Sequence, residues 1–444
     1  MTRPPVRVEL IRTLDEQKIV DSIVYEAMHI GAVIVMDGAP FLRPDGTIDR
    51  ERIHAQLRSS LGRVPEFSMR LMHAPLGITT PAWVPDEHFD LRDHVTFDDS
   101  PTPLTGETVP ALAGFGRPPL PQDRPLWDVR FTVLDTGEIA LGARMHHVVG
   151  DGEWGFSVIK RVTRPEPQTP DHSAALPHPG RPPRTSLAIP VVALRRFLAA
   201  NPTPAAAWHE YWRKPFVKRV RRAGGRCIRP LKEHWIRRTG MRDRMLPATR
   251  TAMFEVDASR AARDAARLRG SLTDLLVAAA TRAVDDDERG IDLMVPVSRR
   301  RRGAGGDSRN HISMARVHTA PGAGLADRVA GIRETVRAIV RGEGEPDTPR
   351  GRMVGYATLM QLSDRPLWFG DARVTRIAFL PAGDPRSEIS VLGTVYDGTL
   401  YTTIASRLEF DVDAMAGRIR ADLADAAAPA RADAVDGSDR QEAA

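Results

Sequence analysis

Residues 144–152 read Arg-Met-His-His-Val-Val-Gly-Asp-Gly: two adjacent histidines and, after three intervening residues, an Asp-Gly pair. With 13 His, 57 acidic residues and 35 Gly among 444 positions, chance supplies this arrangement about 0.004 times per chain. Successive strand residues point to opposite faces, so His146 and His147 cannot do the same job; one faces a cleft and the other packs. An imidazole with an ordinary pKa of ~6.5 can take a proton from a hydroxyl or amine near neutral pH and return one to a departing thiolate. Gly152 leaves room for a substrate to approach the backbone, and Asp151 can lock the loop through a salt bridge or hydrogen bonds. Two structural histidines, one buried and one exposed, are the plain alternative for a bare His pair; the fixed Asp-Gly offset argues against it. A zinc site is disfavoured, because adjacent strand histidines diverge and no third ligand stands nearby at a familiar spacing.

The motif has to be positioned by its neighbours. Segments 33–36, 127–134 and 139–145 read as strands, the last two joined by Asp135, Thr136 and Gly137 as a hairpin turn. Helical spacing marks 53–61 and 154–162, the second opening just after Gly152. Between Arg164 and Pro190 stand eight prolines, a density that predicts a linker, since proline breaks helix interiors and central strands alike. The same ingredients then recur: helices over 259–268 and 273–284, strands over 292–297 and 312–317, and a hairpin of 389–396 with 400–406 turned at Asp397-Gly398. The simplest organisation is two α+β halves, residues 1–163 and 251–425, joined by a linker over 164–250 that is first proline-rich and then basic and aromatic. Residues 426–444 are small and polar and read as a disordered tail.

Composition sets outer limits. Hydrophobic residues make up 42% and charged residues 27%, values of an ordinary globular protein, and no apolar run approaches the roughly 20 residues of a bilayer span. The first residues carry scattered charges and no apolar leader pattern, so the chain is expected in the cytoplasm. Cys227 is the single cysteine and reads as an ordinary free thiol. Only five of the 63 basic residues are Lys. We read the Arg excess as codon bias, so basic character alone does not argue for nucleic acid.

The His-His-x-x-x-Asp-Gly pattern resembles the hallmark of the CoA-dependent acyltransferase superfamily, and the chain as a whole resembles its wax ester synthase/diacylglycerol acyltransferase branch. Leu14-Asp15 with Met28-His29-Ile30-Gly31-Ala32 is similar to the family opening. Pro75-Leu76-Gly77, Trp83-Val84, Phe89-Asp90-Leu91 and His94-Val95 follow in the family's order, and Arg124-Pro125-Leu126-Trp127 resembles its PLW motif. In the second half Thr273-Asp274-Leu275-Leu276, Val295-Pro296-Val297-Ser298-Arg299, Asn310-His311-Ile312-Ser313 and Tyr396-Asp397-Gly398 resemble later family segments. Two departures stand out: Gln361-Leu362-Ser363-Asp364 lies near the place of the family's Asn-Val-Pro-Gly-Pro, and Glu153-Trp154 follows the motif where small residues are usual.

The resemblance implies an α+β fold of two chloramphenicol-acetyltransferase-like halves, a pseudo-dimer enclosing a central substrate tunnel. It implies His147 as general base, Asp151 holding the loop, Gly152 lining the site, and Pro125, Leu126 and Trp127 as wall or packing. Asp274 and Asn310 are candidates for substrate contact or for capping. Trp154 is either a tunnel wall or the first core residue of its helix. No cofactor or metal is expected; acyl-CoA is a co-substrate. The leading activity is transfer of an acyl group from a thioester to an alcohol such as diacylglycerol. A tailoring acyltransferase using CoA or an acyl carrier protein with an alcohol or amine, and a non-catalytic lipid-binding protein, are the alternatives. Thirteen basic residues against Glu233 and Asp243 over 213–244, interleaved with Trp208, Tyr211, Trp212, Phe216 and Trp235, suit an anionic membrane surface or a solvated connection, with no nucleic-acid module beside them. Arg299–Arg302 is a shorter run of the same kind.

Overall fold

A computed structural model describes residues 5–11, 19, 29–118, 120–171, 174–176, 179–200, 209, 213, 249–284, 288–298, 312–341, 349–380, 387–407 and 410–425. The basic segment apart from Arg213, Cys227, Arg299–Arg302, Asn310 and the tail from 426 lie outside these residues.

The first half opens with β1 (Glu9–Leu10), β2 (His29–Met36), α1 (Arg50–Leu61), β3 (Met69–Met72), β4 (Ala82–Pro85), β5 (Val95–Thr102) and α2 (Val109–Leu112). It continues with β6 (Trp127–Leu134), β7 (Ile139–His146), α3 (Gly152–Val162) and α4 (Ala188–Ala200). The second half holds β8 (Thr249–Asp257), α5 (Ala258–Arg267), α6 (Leu272–Ala283), β9 (Ile291–Ser298), β10 (Ile312–Thr319) and α7 (Leu325–Arg341). After these come β11 (Arg352–Ser363), β12 (Trp368–Phe369), β13 (Ala372–Leu380), β14 (Ile389–Tyr396), β15 (Thr399–Arg407) and α8 (Val412–Ala424). Every strand and helix expected from the sequence over the described residues is present.

Among the described residues two six-stranded sheets carry the fold, in the orders β12-β13-β2-β7-β6-β5 and β10-β9-β11-β14-β15-β8, with β1-β4-β3 as a small third sheet. In the first, β13, β2, β7 and β6 pair antiparallel and β5 joins β6 in parallel. Helices α1 and α3 cover its inner face, where Ile34, Leu57, Phe131, Phe156 and Ile159 share one apolar core. The second sheet is covered by α6, α7 and α8 over a core rich in alanine on the helix side. Small residues let α6, Leu-Leu-Val-Ala-Ala-Ala through its middle, bury six consecutive positions almost completely.

The sheets do not follow the chain's two halves. Strands β12 and β13 belong to the second half by sequence yet lie in the first sheet, with Ala378 opposite Val33 and Leu380 opposite Gly31. The proline-rich segment is tied to this crossover: Arg164 and Trp368 exchange backbone hydrogen bonds of 2.9 and 2.7 Å, and Gln168 N–H donates to Gly370 C=O. Its far end bridges Arg181 to Val6, and Pro190 enters α4 within the first turn, where its missing N–H costs nothing.

Tyr396 fastens the crossover from beneath. Its buried hydroxyl donates to Val374 C=O at 2.9 Å and accepts from Leu367 N–H at 2.8 Å. Burial pushes that hydroxyl up to about 12, so it stays a neutral donor at any working pH. A second anchor is Trp127, whose indole lies between Phe67, 4.9 Å away, and His94, 4.5 Å away, and donates from Nε1 to Phe67 C=O. His94 is buried and donates from Nδ1 to Trp127 C=O at 2.7 Å.

Tyr396→Phe should cost about 1–3 kcal/mol, since it strands a buried N–H and a buried C=O. Faster hydrogen exchange at Leu367, with the helices of the second half unchanged, checks that the loss falls on the crossover. Burial holds the His94 imidazole below its ordinary pKa, and His54 shifts the same way for the same reason. Each group therefore binds its proton less well folded than unfolded. Stability from this source is complete above the unfolded value of ~6.5 and is lost as pH falls below it. Melting temperature should drop between pH 7 and 5, and less steeply in His54→Gln/His94→Gln; equal slopes in the two proteins would exclude these histidines.

Candidate functional site

The motif spans the end of β7, a tight turn and the start of α3. On β7 the odd positions Leu141, Ala143 and Met145 face the helices, while Arg144 faces the other way. Arg144 is almost fully buried and grips Asp128 of β6 with two hydrogen bonds, of 2.7 and 3.2 Å. Its Nη1 also donates to the carbonyls of Gly114, Arg117 and Pro118. The strand end therefore cannot slide against its neighbour without breaking a buried, charge-assisted network.

The two histidines part as strand geometry requires. His146 ends the strand opposite His29, is buried, and its ring meets that of His29 at 5.9 Å, edge-on. Its backbone N–H donates to Leu126 C=O, and its Nδ1 accepts from Val148 N–H at 3.0 Å, which leaves the proton of the neutral ring on Nε2. His147 is half-buried in the turn, the next odd position after Met145. His146 before it and Val148 and Val149 after it are buried, so the turn is pinned on both sides of His147.

Asp151 is fully buried and caps α3, its Oδ1 accepting from Trp154 N–H at 2.8 Å. A carboxylate there also meets the positive end of the helix dipole. Gly152 is not open: a Cβ built on it would lie 3.0 Å from Sδ of Met360, a β11 side chain reaching over from the second half. The segment that departs from the family pattern, Gln361–Asp364, follows Met360 directly and closes on itself by a 2.6 Å bond from Gln361 Nε2 to Asp364 Oδ1. Sequence alone placed that departure far from the motif; the fold brings its first neighbour onto Gly152.

Trp154 is buried. Its indole lies where a Gly150 Cβ would be, 2.3 Å from Cε3, and joins Ile11, Leu71, Trp83 and Val158 in a satellite core, edge-on to Phe67 at 5.8 Å. Leu126 sits in the same core, and Pro125 is buried beside it. Asp274 is engaged in a capping box with Ser271 on α6, accepting from its N–H at 2.8 Å and its hydroxyl at 2.7 Å, and from Arg333 of α7 at 3.4 Å. Asn310 lies outside the described residues.

One feature the sequence did not announce is an apolar cavity of about 130 Å³ between the first sheet and α1 and α3. Trp127, Met145 and Ile30 line it near the motif; Leu141, Met36 and Phe369 line it at the other end. Gly155, one turn into α3, is part of its wall, and a Cβ there would meet only Met145 Cε, at 3.5 Å. The Gly-x-x-Gly spacing of 152 and 155 was the available signal. Among the described residues no group of three or more His, Cys, Asp or Glu could hold a metal ion, and no helix is long and apolar enough to cross a membrane.

Comparison with known proteins places this geometry. The fold resembles the first condensation domain of the CDA synthetase, with TM-score 0.58 and 15% identity over 94% of this chain and 96% of that one. It also resembles the wax ester synthase/diacylglycerol acyltransferase from Marinobacter aquaeolei VT8, with TM-score 0.54 and 17% identity over 93% and 98%. In sequence, an inferred diacylglycerol O-acyltransferase of Mycobacterium tuberculosis is 31% identical over 124 residues, 27% of this chain and 24% of the relative. The matched stretch thus spans about a quarter of that relative's length. Residues 23–324 match the model of the wax ester synthase/diacylglycerol acyltransferase catalytic domain, and with more than half of its length so matched the chain belongs to that family.

Proposed function

We propose that this chain is an O-acyltransferase that moves an acyl group from a thioester, acyl-CoA, to an alcohol, with His147 as general base. The observation that carries the reading is the turn itself: an accessible imidazole between buried Val148 and the clamped end of β7, backed by a buried Asp151 cap and adjoining an apolar cavity. His147 takes the proton of the acceptor hydroxyl as its oxygen attacks the thioester carbonyl. The tetrahedral adduct then collapses, the carbon–sulfur bond breaks, and the imidazolium returns its proton to the leaving thiolate. His146 holds the turn, and Asp151 fixes the helix start that follows it.

One observation favours a second acceptor class. Met360, the residue just before the altered Gln361–Asp364 segment, borders Gly152, so the neighbourhood of this site is joined to a segment that differs from the family pattern. That suits a tailoring enzyme acting on an alcohol or amine of secondary metabolism, with CoA or a carrier protein as donor.

The protein's surface suits an anionic membrane. Leu187, Val191, Leu194 and Leu198 recur at intervals of four, three and four, and each is at least 47% exposed. Arg195 and Arg196 flank this stripe. Ile189 seats α4 on Ala74 and Ala82, beside the exposed Leu76 and Ile78 of the β3–β4 turn. An apolar helix face rimmed by arginines, leading in sequence to thirteen basic residues, is the pattern of interfacial binding.

His147→Ala should lower thiol release from acyl-CoA and alcohol by roughly a hundred- to ten-thousand-fold with unchanged circular dichroism. His146→Ala should act mainly through stability; the reverse order of effects would swap the roles. Release of thiol with diacylglycerol or long-chain alcohols supports the first reading, release only with other alcohols or with amines supports the tailoring reading, and no release with any acceptor leaves a lipid-binding protein. Flotation should favour anionic over neutral vesicles, weaken with salt at roughly 1 kcal/mol per basic residue near the surface, and fall in Leu194→Ser/Leu198→Ser. Equal flotation on both vesicles would remove the electrostatic account.

A further inference from the structure

We infer that His29 is a positioning residue for His147, acting through the ring of His146. This rests on the acyltransferase reading above and adds to it a residue that lies outside the motif. In an antiparallel ladder directly opposed residues share a face, so His29, opposite His146, lies with Gly31 and Arg144 on the face of β2 and β7 turned away from α3. That face is closed over. Phe115 Cε2 lies 2.3 Å from where a Gly31 Cβ would be, and the Leu112 carbonyl oxygen 1.7 Å from where a Gly142 Cβ would be. Arg144 holds the same loop by the carbonyls of Gly114, Arg117 and Pro118. His29 and His146 are each 4% exposed, so two imidazoles are enclosed beneath a turn whose His147 is only half-buried.

The effect passes from ring to ring to turn. Past the end of β7 the turn is tied back to His146 by Val149 N–H on its C=O at 2.9 Å and by Val148 N–H on its Nδ1 at 3.0 Å. The first bond needs only backbone. The second lasts only while the imidazole keeps its plane, because the accepting lone pair lies in the plane of the ring. The torsion that rotates an imidazole is broad, so a neighbour has to set it. His29 is that neighbour: its ring stands at 80° to the His146 ring with centroids 5.9 Å apart, an edge-on contact that a rotated His146 would break. Val148 follows His147 directly in the chain, so release of its N–H loosens the backbone that carries the base. Misplacement of a reacting group by about 1 Å costs up to roughly a hundredfold in rate, and a turn that fluctuates about its place loses part of that.

The experiment reads the turn and the turnover separately. In His29→Ala, amide exchange at Val148 should speed up by about tenfold or more while Leu141 and Gly142, inside the strand, exchange as in wild type. For thiol release from acyl-CoA with alcohol, kcat should fall about tenfold, less than in His147→Ala, and both KM values should stay within about twofold, the pattern of an interaction used only in the transition state. His29→Phe, which puts a ring back in the same place, should restore Val148 protection and most of kcat. In a His146→Ala background the further change His29→Ala should alter kcat by less than about twofold, because the path runs through His146. Where His29→Ala folds poorly, His29→Asn, which is polar but carries no ring, should give the same loss. Unchanged Val148 exchange in a folded variant, a loss that falls on KM, no recovery with phenylalanine, or full additivity of the two alanine changes would overturn the assignment. Faster Val148 exchange that phenylalanine reverses, in a protein that releases thiol from no acyl-CoA, would uphold the ring contact as the support of the turn and overturn the acyltransferase reading.

Discussion

The antiparallel ladder between β13 and β2 is the interaction on which the site depends. Strand β2 lies between β13, a strand of the second half, and β7, which ends at His146 and leads into the turn of His147. Without β13, β2 would be an edge strand, and the bed on which β7 ends would be free to twist or fray. The same crossover delivers Phe369 and Phe379 to the cavity wall and sets Tyr396 beneath them. The second half thus contributes to the first half's sheet, to its cavity and, through Met360, to the space over Gly152. A proline-rich segment hydrogen-bonded to Trp368 and Gly370 keeps the exchanged strands from peeling away.

Within that frame the motif is a local solution to a geometric problem. A strand must stop, expose one side chain and start a helix within five residues. Arg144 stops the strand by spending its donors on Asp128 and three carbonyls, and His146 uses Nδ1 to tie the first turn residue. Gly150 is needed because the Trp154 indole lies where its side chain would be, and Asp151 supplies the cap. His147 is the member of this run whose position in the fold is fixed by its neighbours while it stays partly open to solvent.

Much of this was legible beforehand because the signals were local. Alternation in 127–134 and 139–145 gave the hairpin, Gly152 gave the helix start, and His-His-x-x-x-Asp-Gly pointed to the family. What escaped was non-local. The run 372–380 reads as a strand only weakly, and nothing in it says that its partner is β2, more than three hundred residues away in sequence. Helix α7 was missed because its buried contacts come mainly from Val329 and Ile332, a stripe too narrow to stand out among its arginines. The i, i+4 spacing of Trp154 fits a core and a tunnel equally, and its contact with Gly150 is made across a turn that no periodicity shows.

The arrangement also separates two properties that a single pocket would confuse. The turn that holds His147 is set at one end of β7, where Arg144 and the backbone bonds of His146 fix it. Apolar fit is set along the same strand toward its start, where Leu141, Met36 and Phe369 have no polar role. Because a strand is stiff along its length, a change of volume at the far end leaves the geometry of the turn in place. The Arg144 guanidinium is drawn to Asp128 and to the carbonyls of Gly114, Arg117 and Pro118, while the cavity along the same strand is lined mainly by apolar residues.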